Sequence, residues 1–364
     1  MEHVLVSLSI FFACFILALV FTRFCLIAAR KLAFLDHPKG RKNHAAPVPL
    51  LGGAGIYLSL FAGVYLPVIV LSLWPDVLVQ KFPFLENYMA GALKKLPLLH
   101  VVFLTGLGLL ITGLIDDKRG MNPYVKLFLQ VLAGSIMYLF GVRITLFVKS
   151  EVFSYAVTTF WFVLLINSFN LLDNMDGLSA GIGMIVSIMM FFISHFFGNF
   201  LMASLSAATA GALLGFLVFN FHPARIFMGD AGALFLGFMM AVIMILTTYY
   251  QPNGYPRYVA YLVPLIVLMV PLYDTFSVIV VRLIKGESIM KGDRNHFSHR
   301  LVRLGMGVRY AALFLYFITF TTGISALFLF WVGLTGAVLV MIQVFCLFGI
   351  IVILEYYAKK GNEK

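Results

Sequence analysis

About eleven runs of roughly twenty apolar residues recur along the chain, at 4–26, 50–73, 98–115, 124–142, 152–170, 177–197, 200–219, 231–250, 259–283, 310–331 and 334–357. Each is close to the ~20 residues that a helix needs to cross ~30 Å of hydrocarbon. Hydrocarbon offers no water to the backbone, so each run must satisfy its own N–H and C=O groups, which leaves helices as the only element for them. Composition agrees: 62% of the 364 residues are hydrophobic and 11% are charged, against about 25% charged in soluble domains. The expected fold is all-α and polytopic, with about 11 transmembrane helices in a single integral membrane domain over 1–364.

The first run lacks a basic start, is too long for a cleavable signal and shows no convincing small-residue cleavage site, so it reads as a retained helix with its N-terminus outside. Twenty of the 26 Lys and Arg residues fall in the loops after odd-numbered runs and in the tail, and six on the other side. That asymmetry puts the odd loops and the C-terminus in the cytoplasm. The formal charge of +11 therefore gathers mostly on one face. Attraction to anionic headgroups and a platform for an anionic substrate are both open readings of it. No soluble module or aromatic-interleaved basic segment points to nucleic acid. Cys14, Cys25 and Cys346 all lie inside apolar runs and read as small packing residues.

The same face collects the polar clusters: "DHPKGRKNHAAPVPLLGG" (36–53), "DDKRGMNP" (116–123), "NLLDNMDGL" (170–178), "FHPARIFMGDAG" (221–232) and "KGESIMKGDRNHFSHRLVRLGM" (285–306). The stretch 74–97 on the other side reads as an ordinary loop. Asp116 and Asp117 end an apolar helix, where the negative pole of the macrodipole disfavours carboxylates and calls for a cation. Mg²⁺, which takes one or two carboxylates, and the neighbours Lys118 and Arg119 both answer that need. Asn167, Asn170, Asp173 and Asp176 recur every third residue as a polar stripe, costly in a membrane unless it lines a cavity or pairs between helices. Asp230, between Gly229 and Gly232 ahead of an apolar helix, either completes a metal site beside anion-binding amides or is a plain N-cap. Phe227 would stack on a base or pack.

Asp293, Arg294, His296, His299 and Arg300 fall within eight residues. They suit phosphate binding, proton transfer or a transition metal, with zinc disfavoured for want of a nearby cysteine. His3, His100 and His195 sit near run ends away from these loops and receive no role. Asp274 follows Pro264 and Pro271 in the ninth run, so that helix is expected to break, with Asp274 paired to Arg282 or meeting substrate. Acids for a hard cation, glycine-rich anion sites, arginines and histidines on one membrane face are equipment for phosphoryl transfer. One substrate would be a lipid phosphate and the other a metal-bound diphosphate from the cytosol.

"DHPKGRKNHAAPVPLLGG", "GLIDD", "NSFNLLDNMDGLSAG", "NFHPARIFMGDAG", "PLYDTFSVIVVRL" and "DRNHFSHRLVRLG" together resemble, in order and spacing, the polyprenyl-phosphate N-acetylhexosamine-1-phosphate transferase superfamily. The forms "RKNHAAPVP" and "DRNHFSHRL" look more like the branch that uses UDP-N-acetylglucosamine than the phospho-N-acetylmuramoyl-pentapeptide transferases. The resemblance implies attack by undecaprenyl phosphate on the sugar-linked phosphate of a UDP-HexNAc, with GlcNAc first in line. The products would be undecaprenyl-diphosphate-HexNAc and UMP, at the first membrane step of a cell-envelope polysaccharide, with Mg²⁺ or Mn²⁺ required. It also implies a bacterial inner-membrane protein whose site faces the cytoplasm.

By motif position, Asp116 and Asp117 would be the acidic pair, one on metal and one deprotonating the lipid phosphate, and Asp230 would be a metal ligand. Asn170, Asp173 and Asp176 would line the nucleotide and metal pocket, and Phe227 would stand near the uracil. His296, His299, Arg294 and Arg300 would bind or position the diphosphate, and Lys42 would meet the lipid phosphate. The chain departs from the family pattern at Ser298, where histidine is common, at Ala231 and Ala233, where serines are, and at Asn174, where glycine is. A secondary transporter and a noncatalytic polyprenyl-lipid-binding protein are the rival readings, and the sequence leaves homodimer formation open.

Overall fold

Polar contacts at one end of a helical bundle decide how its helices stop. The structure is a computed structural model, and it describes residues 2–37, 47–74, 77, 80–82, 85–146, 148–247, 257–286, 288 and 296–362. Its helices are α1 (Glu2–Lys31), α2 (Gly52–Leu73), α3 (Leu85–Arg119), α4 (Pro123–Leu139), α5 (Glu151–Leu172), α6 (Leu178–Phe196) and α7 (Phe200–Asn220). Next in the chain come α8 (Gly229–Leu246), α9 (Arg257–Val267), α10 (Met269–Ile284), α11 (Phe297–Arg303), α12 (Val308–Phe328) and α13 (Leu334–Asn362). Among the described residues, nine helices are long and apolar enough to cross a membrane, and α9 and α10 meet the same test only as a pair, bent by 77° where they join. The bend falls at Leu268, just ahead of Pro271, whose ring nitrogen has no proton for the carbonyl one turn back. The fourth run forms only the 17 residues of α4.

Several boundaries differ from the sequence expectation. The stretch 74–97 is not all loop, because α3 starts at Leu85 and continues through Pro97 to Arg119. Asp116 and Asp117 thus lie in the last turns of a helix. The polar stripe also breaks: α5 ends at Leu172 with Asp173 as its C-cap, and Gly177 at φ 74° opens α6. Asn167 and Asn170 are therefore helical, whereas Asp173 and Asp176 stand in a tight turn. Besides helices there is a two-residue antiparallel ladder, β1 (Leu35–Asp36) with β2 (Val48–Pro49), pairing Leu35 with Pro49.

The axis of the bundle is α8, whose residues 231–244 are all buried. It packs against α2, α3, α5, α6 and α7, as a helix apolar on every side must. Outer helices behave oppositely: α1 exposes Leu5, Phe12, Ile16 and Val20, and α13 exposes Leu339, Ile342 and Phe345. Cys14 and Cys25 are buried and Cys346 is exposed.

Backbones come closest at the start of α8. A Cβ on Gly113 of α3 would lie 2.3 Å from the Cα of Ala231, and one on Gly53 of α2 would lie 2.2 Å from the amide nitrogen of Gly232. Nothing lies within 4 Å of a Cβ built on Gly108, one and a half turns earlier in α3. Gly113→Ala is therefore expected to lower the thermal midpoint in detergent, by an overpacking cost on the order of 1–3 kcal/mol. Gly108→Ala should hold or raise the midpoint, since alanine is better in a helix interior by about 0.5–1 kcal/mol. Equal midpoints for the two variants would refute the close packing of α3 on α8.

Candidate active site

The negative end of α3 meets the positive end of α8. Met228, the N-cap of α8, offers no side-chain cap, and the orphan amides are taken by another element. Asp117 Oδ1 accepts the backbone N–H of Asp230 at 2.9 Å, and Asp117 Oδ2 accepts that of Ala231 at 3.3 Å. A carboxylate disfavoured by its own helix dipole is thus stabilised by the dipole of another. Gly229 makes the approach possible: a Cβ there would lie 2.5 Å from Asp117 Oδ2. The glycine-flanked amides do bind an anion, but that anion belongs to the protein. Asp230 is accordingly not the N-cap; it lies inside the first turn with its carboxylate free for other partners.

Those partners are Lys126 and Asn170. Lys126 Nζ, from the first turn of α4, donates to Asp116 Oδ2 at 2.7 Å and to Asp230 Oδ2, and lies 3.5 Å from Asn170 Oδ1. Asn170 Nδ2 donates to Asp230 Oδ1 at 2.8 Å, and the amide of Met121 donates to Asp116 Oδ1 at 2.7 Å. Lys118 and Arg119, the neighbours expected to compensate the acids, are exposed. Sequence reasoning counts Lys126 only as a topology charge. Its one local signal is a lysine one turn into an apolar helix that opens with Asn-Pro. Asn167 turns away from this cluster, donating to Gln130 Oε1 of α4 at 2.5 Å and to Val163 O of its own helix at 2.8 Å. For Asn167, then, the stripe serves pairing between helices.

The turn between α5 and α6 carries the remaining acids. Asp176 Oδ2 lies 2.7 Å from His222 Nδ1 and accepts the N–H of Ala224 at 3.1 Å. His222, to which the sequence assigns no role, thereby ties this turn to the loop leading into α8. Buried Asn220 adds a second tie, accepting from the amide of Gly177 at 3.0 Å and donating to Ile226 O at 2.8 Å. Tyr316 Oη donates to Gly177 O at 2.6 Å. Phe227 is half-buried and joined through its backbone to Pro49 and Gly52. Asp173 makes no hydrogen bond through its carboxylate among the described residues. Burial first, and then the charges of Asp230, Asp117 and Asp176, hold its pKa well above the usual carboxylate range.

Of the last polar stretch, the structure describes α11 and its N-cap His296. Ser298 Oγ donates to Asn174 Oδ1, joining α11 to the turn, so two departures from the family pattern are partners of one another. Arg300 donates to Ser277 Oγ at 2.9 Å and lies 5.8 Å from the ring centre of Tyr273. The rings of His296 and His299 are 6.3 Å apart. Lys42 and Arg294 lie outside the described residues. The other departures, Ala231 and Ala233, are wholly buried in α8, and a hydroxyl at either position would face helices and not a phosphate.

No three His, Cys, Asp or Glu side chains among the described residues gather as a ready metal cage. The donor set nevertheless suits a hard divalent cation: oxygens of Asp116, Asp230 and Asn170 already converge on one positive charge, the Lys126 ammonium. Mg²⁺ commonly needs only one or two carboxylates, with water and phosphate oxygens completing its shell.

Known proteins share this arrangement of sequence. The family model described as "Glycosyl transferase family 4" matches residues 99–248. The probable undecaprenyl-phosphate N-acetylglucosaminyl 1-phosphate transferase of Bacillus subtilis (strain 168) is 28% identical over 339 residues, covering 91% of this chain and 85% of its own. The decaprenyl-phosphate N-acetylglucosaminephosphotransferase of Mycolicibacterium smegmatis is 30% identical over 317 residues, covering 80% and 74%. The undecaprenyl-phosphate alpha-N-acetylglucosaminyl 1-phosphate transferase of Escherichia coli (strain K12) is 27% identical over 311 residues, covering 82% and 77%.

An acid whose proton affinity is raised by folding weakens the fold once the pH passes its ordinary value, and the full cost is present above the raised one. Asp173 is in that position. With divalent cations chelated, Asp173→Asn should therefore melt at a higher temperature than the wild type at neutral pH. The gap should close as the pH falls toward the ordinary carboxylate range. A lower midpoint at neutral pH would contradict the repulsion described for Asp173.

Proposed function

The chain belongs to glycosyl transferase family 4, and from that membership we propose that it transfers N-acetylglucosamine 1-phosphate from UDP-N-acetylglucosamine to undecaprenyl phosphate. The carrying observation is the convergence of carboxylates from α3 and α8, with the side-chain oxygen of Asn170 from α5, around one lysine at one end of a membrane bundle. An oxygen of the lipid phosphate bonds to the phosphorus that bears the sugar. The P–O bond toward the uridine-side phosphate breaks, and UMP leaves with that oxygen.

Each residue has a part in this reading. Asp117 and Asp230 would hold Mg²⁺ or Mn²⁺, and Asp117 suits a fixed ligand because two amides lock its carboxylate. The cation, when bound, supplies charge neutralisation to the diphosphate and to the departing UMP. Asp116, paired with Lys126, stands ready to receive any proton on the attacking oxygen. Asn170, Asp173, Asp176 and Phe227 line the nucleotide side, and His296, His299 and Arg300 take the diphosphate. Lys42 and Arg294 belong to the proposal on motif position alone, as contacts of the lipid phosphate and the diphosphate. The excess of basic residues on this face supports a site open to the cytoplasm at a bacterial inner membrane.

The test is UMP release by purified, detergent-solubilised protein given undecaprenyl phosphate and a panel of UDP-sugars, with Mg²⁺ or with chelator. Release should need both lipid and cation and be fastest with UDP-N-acetylglucosamine. Asp117→Asn and Asp230→Asn should each lower turnover by about 10²-fold or more, the scale seen when a charge-stabilising group is removed, while the proteins elute as folded species. Near-normal turnover in both folded variants would sink the metal assignment. No release with any sugar would favour noncatalytic lipid binding or transport.

A further inference from the structure

Asp274 has no part in the chemistry so far. It lies in α10, just past the break in the bent span, and is 1% exposed. A carboxylate at such a place is costly unless its oxygens are engaged. Both are: Oδ1 accepts the backbone N–H of Phe297 at 2.6 Å, and Oδ2 lies 3.0 Å from Nδ1 of His296. The two partners are consecutive residues, so one side chain sets both the start of α11 and the angle of the imidazole. His296 is itself 5% exposed, and its Nε2 makes no hydrogen bond among the described residues.

The same face of α10 holds α11 a second time, one turn on, where Ser277 receives Arg300 at 2.9 Å. On its other side α11 is joined to the acid-bearing turn through Ser298 and Asn174. His296 thus meets a buried carboxylate through Nδ1, two residues before the serine that ties α11 to the acid-bearing turn. An ionised Asp274 that already accepts an amide N–H can only accept from His296 as well, which assigns the ring proton to Nδ1. Nε2 is then left for a partner other than Asp274, as lone pair or as donor.

We propose that Asp274 is a positioning residue of the transferase: it fixes the tautomer and orientation of His296, so that Nε2 is presented to the diphosphate of the bound UDP-sugar. The proposal rests on the transferase reading. It explains why a charged residue is placed inside an apolar helix. It also gives His296 a defined part within the last motif, since its ring is the one that meets Asp274.

Imidazole NMR on protein with isotopically labelled histidines, with His296→Gln used to assign the signal, tests the geometry without reference to turnover. The expected signature of folded wild-type protein is a His296 ring protonated at Nδ1. A neutral ring protonated only at Nε2 overturns the proposal, even if no folded Asp274 variant is obtained. In kinetics, Asp274→Asn keeps an acceptor for Phe297 but no longer requires the Nδ1 proton. It should lower kcat by about 10- to 100-fold, as carboxylate partners of functional histidines do, with KM little changed. Because Asp274 acts through His296, the double variant should turn over no more slowly than His296→Gln alone. Multiplying losses, or a wild-type kcat in Asp274→Asn, overturn the proposal while wild-type UMP release leaves the transferase reading intact. A wild-type protein that releases no UMP overturns the transferase reading, and the role of His296 with it.

Discussion

Two backbone amides at the start of α8, held by the carboxylate of Asp117 from α3, are the contact on which the rest of this site depends. Helix ends leave backbone groups without intrahelical partners, and hydrocarbon supplies none. A carboxylate at the end of one span satisfies the orphan amides at the start of another without a soluble domain. The junction demands close backbones, which Gly53, Gly113 and Gly229 allow. It also dictates the spacing of the other acids, because fixing the first turn of α8 places Asp230 opposite Asp116 and forces a cation between them.

Lys126 is that cation, but one ammonium does not neutralise the cluster. Asp116, Asp117 and Asp230 carry three negative charges when ionised, against one positive charge from Lys126. Unit charges 4 Å apart interact by about 4 kcal/mol at an effective dielectric near 20. Such a cluster repels a free diphosphate, and the proposed divalent cation would offset that repulsion. The residual negative charge is therefore a poor surface for a free anion and a good one for a cation that brings an anion with it. The carboxylate of Asp173, held high by burial and by its neighbours, makes the same point: it is costly in the protein alone and suited to a bound cation.

What was legible in the sequence were properties with a local signature. Runs of apolar residues gave the helices, Pro264 and Pro271 gave the break in the ninth span, and the acids and histidines stood out against an apolar background. Partners were not legible, because they join residues far apart in the chain: Asp117 with Asp230, Lys126 with Asp230, Asp176 with His222, Asp274 with His296. Lys126 and His222 look ordinary where they stand, and only the folded chain gives them carboxylates. The every-third-residue spacing from Asn167 to Asp176 misled in part, since it assumes a helix that stops at Leu172. Asn174 and Ser298 are a different case. Each alone looks like a lapse from the family pattern, yet together they form a bond between two elements of the site.

The break between α9 and α10 sets the wall beside a site made of helix ends. A straight ninth helix would carry Asp274 on one continuous cylinder with its oxygens facing neighbouring helices. The break at Leu268 frees α10 to take its own direction, and the face bearing Asp274 and Ser277 becomes the seat of α11. A lipid phosphate travels in the plane of the membrane, whereas a sugar nucleotide arrives from the water. A short helix seated on α10 is itself joined to the acid-bearing turn. The cost of a buried carboxylate at Asp274 is thus offset by bonds that also order the wall of the site.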